Sequence, residues 1–172
     1  MNRITARVSF VLLTAVILTS CIYEREEIYS YNMYYSQYEP VILERNALNS
    51  TIKFTDVQEM RNAGKIYVKD DYIFIVDTNK GIHIYDNQQP QSPSTYAFIE
   101  MPGVTDLAIR DEYIYINQAT DLVALTVDFN SKNIQVNKRI SNTFPIKASP
   151  DGYTHQVSED KVVVDWIKRN DL

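Results

Sequence analysis

Few side chains in this sequence have the type and spacing to do chemistry, and the most telling is a thiol. Cys21 is the single cysteine among 172 residues, and it closes the run Leu18-Thr19-Ser20-Cys21. A cysteine sulfur is a nucleophile when deprotonated, and the small Ser20 before it leaves room for a cut on its N-terminal side. A lone thiol in this setting is a site for covalent modification. With no second cysteine, neither a disulfide nor a thiolate metal site is available.

Other candidates have weaker spacing. Asp77-Thr78-Asn79-Lys80-Gly81 begins like a calcium loop, but the twelfth position is Gln88 instead of a bidentate glutamate. A hairpin turn between two strands accounts for it better. His83 and His155 are the only histidines and lie far apart; His83, flanked by Ile82 and Ile84, reads as a sheet-face residue. No Gly-x-Ser-x-Gly turn is present, and 4 glycines leave no phosphate-cradling loop. The carboxylate pairs Asp70-Asp71 and Asp111-Glu112 read as solvated turn residues. Asn49-Ser50-Thr51 fits a glycosylation sequon, a three-residue pattern that carries little weight here. Tyr67, Tyr85, Tyr96, Tyr113, Tyr115 and Trp166 read as packing residues, with stacking on a glycan as the alternative. The expectation is a non-enzyme without catalytic residues, cofactor or metal.

The elements around Cys21 explain its setting. Arg3 and Arg7 give a positive start, and Val8 to Leu18 form an apolar run of 11 residues broken by Ser9 and Thr14. A membrane-spanning helix needs about 20 apolar residues, so this is a leader. Leu18, Thr19, Ser20 and Cys21 together resemble a bacterial lipobox, which implies a signal peptide over 1–20 and a lipid-anchored Cys21. Two or three acyl chains hold a protein firmly, at ~0.8 kcal/mol per buried methylene. Loss of Arg3 and Arg7 lowers Lys plus Arg from 17 to 15 against 22 acidic residues, a net charge of −7. Such a chain is poorly suited to nucleic acid.

Residues 21–39 read as a tether. Tyr23, Tyr29, Tyr31, Tyr34, Tyr35 and Tyr38 crowd it without a clear period. They fit either the lipid headgroup interface or a first strand packed on the domain. Glu24, Glu26 and Glu27, interrupted by Arg25, loosely resemble the surface-export signal of Bacteroides-group lipoproteins; a solvated linker is the preferred reading. The expected location is the cell envelope, as an outer-membrane lipoprotein facing periplasm or exterior.

The folded part reads as all-β and antiparallel. Residues 40–63 form an N-terminal cover, with strands at Val41-Ile42-Leu43 and Ile52-Lys53-Phe54. Single helical turns are expected at Arg45 to Leu48 and Val57 to Ala63. Short β-branched and aromatic runs then alternate with turn residues. Val68-Lys69-Asp70-Asp71-Tyr72-Ile73-Phe74-Ile75 aligns with Ile109-Arg110-Asp111-Glu112-Tyr113-Ile114-Tyr115-Ile116 at an offset of 41. Ile84-Tyr85-Asp86 aligns with Thr126-Val127-Asp128 at 42. A period in the low forties is that of a β-propeller blade. Two blade-like repeats follow, 64–103 and 104–145, then a loop and last strand over 146–172.

Several motifs give the chain a family likeness: Gly64-Lys65-Ile66-Tyr67, Gly81-Ile82-His83-Ile84-Tyr85-Asp86-Asn87 with Pro90 and Pro93, and Pro102-Gly103. Asp106-Leu107-Ala108-Ile109, Tyr113-Ile114-Tyr115, Asp121-Leu122-Val123 and Phe144-Pro145 continue it. The chain resembles the LVIVD-repeat lipoproteins of the Bacteroides group over roughly Pro40 to Pro145. That resemblance implies a β-propeller and carries no catalytic residues with it. Relatives continue beyond the segment resembling Val162-Val163-Val164-Asp165-Trp166, so this chain looks like an incomplete β-propeller of about two blades. Its free edges and one uncovered apolar face would be met by absent repeats, by other copies, or by a compact sandwich with the N-terminal segment as cover; a shortened version is preferred. The expected function is a non-catalytic binding or interaction module on a lipid anchor, with a membrane, a protein or glycan partner, and self-association as its contacts. The alternatives are a truncated remnant of a longer propeller protein or a glycan-processing or glycan-binding surface lipoprotein.

Overall fold

The computed structural model describes residues 36–170. The lipobox, the leader and most of the tether lie outside them. The first strand, β1 (Tyr38–Glu44), leads into 3-10 turns at Arg45–Ala47 and Asn49–Thr51 and then into β2 (Lys53–Thr55). Thus Tyr38 and Glu39, assigned to the tether, belong to a strand.

Two four-strand meanders follow. The first comprises β3 (Ala63–Lys69), β4 (Tyr72–Asp77), β5 (Gly81–Asp86) and β6 (Ser94–Glu100). The second comprises β7 (Val104–Arg110), β8 (Tyr113–Gln118), β9 (Asp121–Asp128) and β10 (Asn133–Ile140). The last strand is β11 (Lys161–Lys168). All pairings are antiparallel. The repeat is also written in the backbone. Asp70 and Asp111, at the first hairpin turn of each meander, have φ of 52° and 54°. Asn79 and Ala119 occupy the left-handed region at the second turn, at 68° and 54°. Aspartate and asparagine tolerate that region better than most side chains.

One expectation fails between β2 and β3. Residues 57–63 form no helical turn. Asp77 carboxylate oxygens accept the backbone N–H groups of Arg61 and Asn62 at 3.0 and 2.9 Å. Those donors are held by β4, and the chain runs straight into β3 at Ala63. From the cover segment, β2 pairs outside β6 and makes that sheet five-stranded, in order β2-β6-β5-β4-β3.

Alternation along the strands decides what packs. In the first sheet Phe74, Val76, Ile82, Ile84 and Ile99 point to one side. In the second, Leu107, Ile114, Ile116, Val123 and Leu125 point back at them, with Met101 and Val104 at the link. Each such side chain removed from water stabilises the fold by roughly 1.5–3 kcal/mol. Gly81 permits the close approach of β5 and β6: a Cβ there would stand 2.2 Å from the Ile99 carbonyl and 2.4 Å from the Phe98 ring.

The ribbon β1–β11 is a third sheet with its own small core. Leu48, Ala119, Val162 and Val164 are buried together, with Val41 and Leu43 against them. Polar ties fix the ribbon to both repeats: Arg45 reaches Asp121, and Asn79 and Lys80 reach Asp165 at 2.6 and 2.7 Å. On the far face of the first sheet Ile66 and Val68 remain 60% and 58% exposed, so an apolar strip at that edge is uncovered.

Candidate functional site

The buried carboxylates are each committed to partners within the fold. Asp77 is buried, and besides the N–H groups of Arg61 and Asn62 it meets His83 Nε2 at 3.3 Å. Burial pushes the Asp77 carboxyl up, but those hydrogen bonds outweigh it and leave the pKa below 3.8. His83 is a buried sheet-face residue whose ring packs on Phe98, with centroids 4.7 Å apart. His155 is half-buried in the long loop and belongs to no histidine pair.

Asp121 enters the sequence reading only as the first residue of the Asp121-Leu122-Val123 motif. It is fully buried and gripped by Arg45 at 2.6 Å and Arg139 at 3.1 Å, and it accepts the Asn142 N–H at 3.2 Å. Burial raises its pKa, and these donors lower it by more. Arg139 also donates to Gln118 Oε1 at 2.6 Å and to Asn49 Oδ1 at 2.8 Å. The cluster therefore locks N-terminal cover, β9 turn and β10 together. No local spacing announces it, since its members come from three separate segments.

Several hollows lie on the surface of this frame. One, about 340 Å³, is bounded by Thr55, Gln58, Arg61, Asp77, Lys80 and Glu100 under the chain that Asp77 holds. Its charged lining is partly spent: Glu100 pairs with Lys53 at 3.2 Å, Lys80 with Asp165, and Asp77 is saturated.

The second, about 210 Å³, lies between the two repeats. Both carboxylate pairs expected at solvated turns are exposed, as their spacing implied, and both border this one cleft. Asp70 and Asp71 line it from the β3–β4 turn, and Asp111 and Glu112 from the β7–β8 turn. Tyr72, Phe74, Ile109, Ile114, Val127 and Phe129 supply its apolar lining. Phe129 stacks on Tyr72 with centroids 4.3 Å apart and planes at 24°. The Tyr96 hydroxyl donates to the Phe129 carbonyl and anchors that loop. Lys69 is the cation in the lining, and its Nζ sits 2.9 Å from Asp70 Oδ2. Sequence alone shows two acidic turns; only the packing of one repeat on the other makes them face a common space.

A third hollow, about 160 Å³, lies on the outer face of the second repeat between Asp106, Tyr115, Asn117 and Phe144. Asn117 Oδ1 is buried there without a partner. The aromatic residues singled out in the sequence divide. The Tyr67 hydroxyl donates to Ile109 O at 2.9 Å, and Trp166 Nε1 donates to Lys147 O at 3.1 Å, so both are packing residues with satisfied polar ends. Tyr85 and Tyr113 are half-buried, while Tyr115 is 36% exposed.

Leu18, Thr19, Ser20 and Cys21 lie outside the described residues. Among those that are described, no group of three or more His, Cys, Asp or Glu side chains is arranged to hold a metal ion. No described helix is long and apolar enough to cross a membrane. No protein-family description, curated protein or solved structure matches this chain.

Proposed function

We propose that this chain is a lipid-anchored, non-catalytic binding module of the bacterial envelope, built from two blade-like repeats of the LVIVD kind. The anchor reading is supported by the Leu18-Thr19-Ser20-Cys21 run at the end of an apolar leader. The blade reading is supported by two four-strand meanders whose first hairpin turns recur 41 residues apart, with Asp70 and Asp111 in the same backbone conformation.

One observation carries the binding reading. The deeply buried carboxylates Asp77 and Asp121 are consumed by structural bonds, whereas equivalent turns of both repeats line an open cleft with an apolar lining. Recessed apolar surface with a few polar groups at its edge is the composition of a binding site. Mass spectrometry of the natural protein tests the anchor: a diacylglyceryl thioether on an N-terminal Cys21 is expected. A bare thiol or a retained leader would refute it. Cys21→Ser should move the protein from the membrane fraction to the soluble one.

A second reading, glycan binding, has one specific observation in its favour. Tyr115 is exposed beside Asn117 and Asp106 around the outer hollow. An aromatic face next to amide and carboxylate groups suits a sugar ring. Loss of glycan retention in Tyr115→Ala, with the inter-repeat cleft intact, would mark that surface as the working one.

A further inference from the structure

We infer that the cleft between the two repeats takes an organic cation, an ammonium or guanidinium group carried on an apolar stem. The inference rests on the binding-module reading and specifies the ligand class of the same cleft.

Charge and shape point the same way. Asp70, Asp71, Asp111 and Glu112 line the cleft against one lysine; Lys69 pairs with Asp70 at 2.9 Å, and Arg110, outside the lining, stands 3.9 Å from Asp111. Burial first, then Tyr96, Asp86 and Asp71 beside it, raises the pKa of the Tyr72 hydroxyl, so the negative charge of Asp71 is felt inside the cleft. An anion entering here would meet like charge, and a wholly apolar ligand would leave Asp71 and Glu112, which form no ion pair among the described residues, without a counterpart. The remaining lining, from Tyr72, Phe74 and Phe129 to Ile109 and Ile114, suits a methylene stem. A volume of about 210 Å³ is below the roughly 300–1,000 Å³ of pockets for drug-sized molecules. One side-chain-sized cation fits that scale.

The protein already shows the pairing on a small scale. Lys69 lines the cleft with its ammonium on Asp70, and Asp111 of the other repeat adds to the field that raises its pKa. Lys132 Nζ stands 5.4 Å from the Tyr96 ring centroid, and that ring packs edge-on against both Tyr72 and Phe129. Cations thus sit beside both the carboxylates and the aromatic cluster that bound the space.

The test is calorimetric titration of the full chain in detergent with hexylamine, with an acetylated Gly-Lys-Gly amide, and with hexanol as neutral control. Saturable binding of a cation is expected, weakening with added salt, and at least about tenfold weaker in the Asp71→Asn/Asp111→Asn double variant. Asparagine tolerates the left-handed turn at 111, so unfolding temperature should be kept. Hexylamine alone binding identifies a free amine as the source, the peptide alone a basic segment of another protein, and both the shared group. Hexanol binding as tightly as hexylamine, with Phe129→Ala abolishing both, would overturn the cation and leave the binding cleft standing. No binding of any probe would overturn both. Equal affinity in the double variant would overturn the assignment to these carboxylates.

Discussion

Arg45 Nη1 lies 2.6 Å from Asp121 Oδ1, a contact across 76 positions that fastens the N-terminal ribbon to the turn entering β9. Asp121 is fully buried, and Arg139 holds its other oxygen at 3.1 Å. Removing one partner of such a buried pair leaves the others uncompensated. Asp121→Asn should therefore cost about 3 kcal/mol in urea unfolding. A loss near zero would mean that the two arginines find equivalent partners elsewhere.

Acid should weaken the protein through Asp77 and Asp121. Both carboxyls are held below their ordinary 3.8, so in the unfolded chain they bind protons more readily than in the folded one. Their stabilisation is complete above that value and is lost as pH falls through and below it. Unfolding free energy measured from neutral pH down to about 2 should drop on the acid side, and the drop should be shallower in Asp77→Asn and Asp121→Asn. Parallel curves for wild type and variants would place the acid sensitivity elsewhere.

Asp77 also sets the course of the chain before β3. In Asp77→Ala the N–H groups of Arg61 and Asn62 lose their acceptor, at a cost of about 2 kcal/mol. Amide exchange at 61 and 62 should quicken more than at Val76 or Ile84. Unchanged protection at those two amides would show that another group holds the segment.

The glycines separate crowding from backbone strain. Gly81→Ala places a methyl 2.2 Å from a carbonyl of the neighbouring strand, which rigid backbone cannot relieve, so a loss of about 3 kcal/mol or failure to fold is expected. Gly152 has φ of 83° but open space around it, so Gly152→Ala should cost only about 1 kcal/mol. Denaturant midpoints at equal slope give the comparison, and the reverse ranking would contradict the β5–β6 register.

Asn117 offers a gain. Its Oδ1 is buried with no partner, on a strand where a β-branched side chain suits the sheet. Asn117→Val should raise stability by about 1 kcal/mol, read as an upward shift in Tm. A lower Tm would reveal an ordered water on that oxygen.

The strands, their turns and the repeat were readable from residues alone, because alternation and turn chemistry are local. Tyr72 to Asp77 is a strand in any context that buries Phe74 and Val76, and Asp70 and Asp111 mark the same turn twice. The lipobox-like run at Cys21 is local in the same way. Residues 57–63 depart from the helical turn expected there, since the N–H groups of Arg61 and Asn62 go to an acceptor 16 and 15 positions further on.

What the sequence by itself determined is the all-β character, the places where strands begin and turn, and the acidic type of the hairpin tips. Tertiary structure alone decided that β2 extends the first sheet, that Asp121 meets two arginines, and that both acidic tips border one cleft. Local geometry follows from neighbours in the chain, whereas burial and charge pairing depend on which distant segments the two sheets bring into reach.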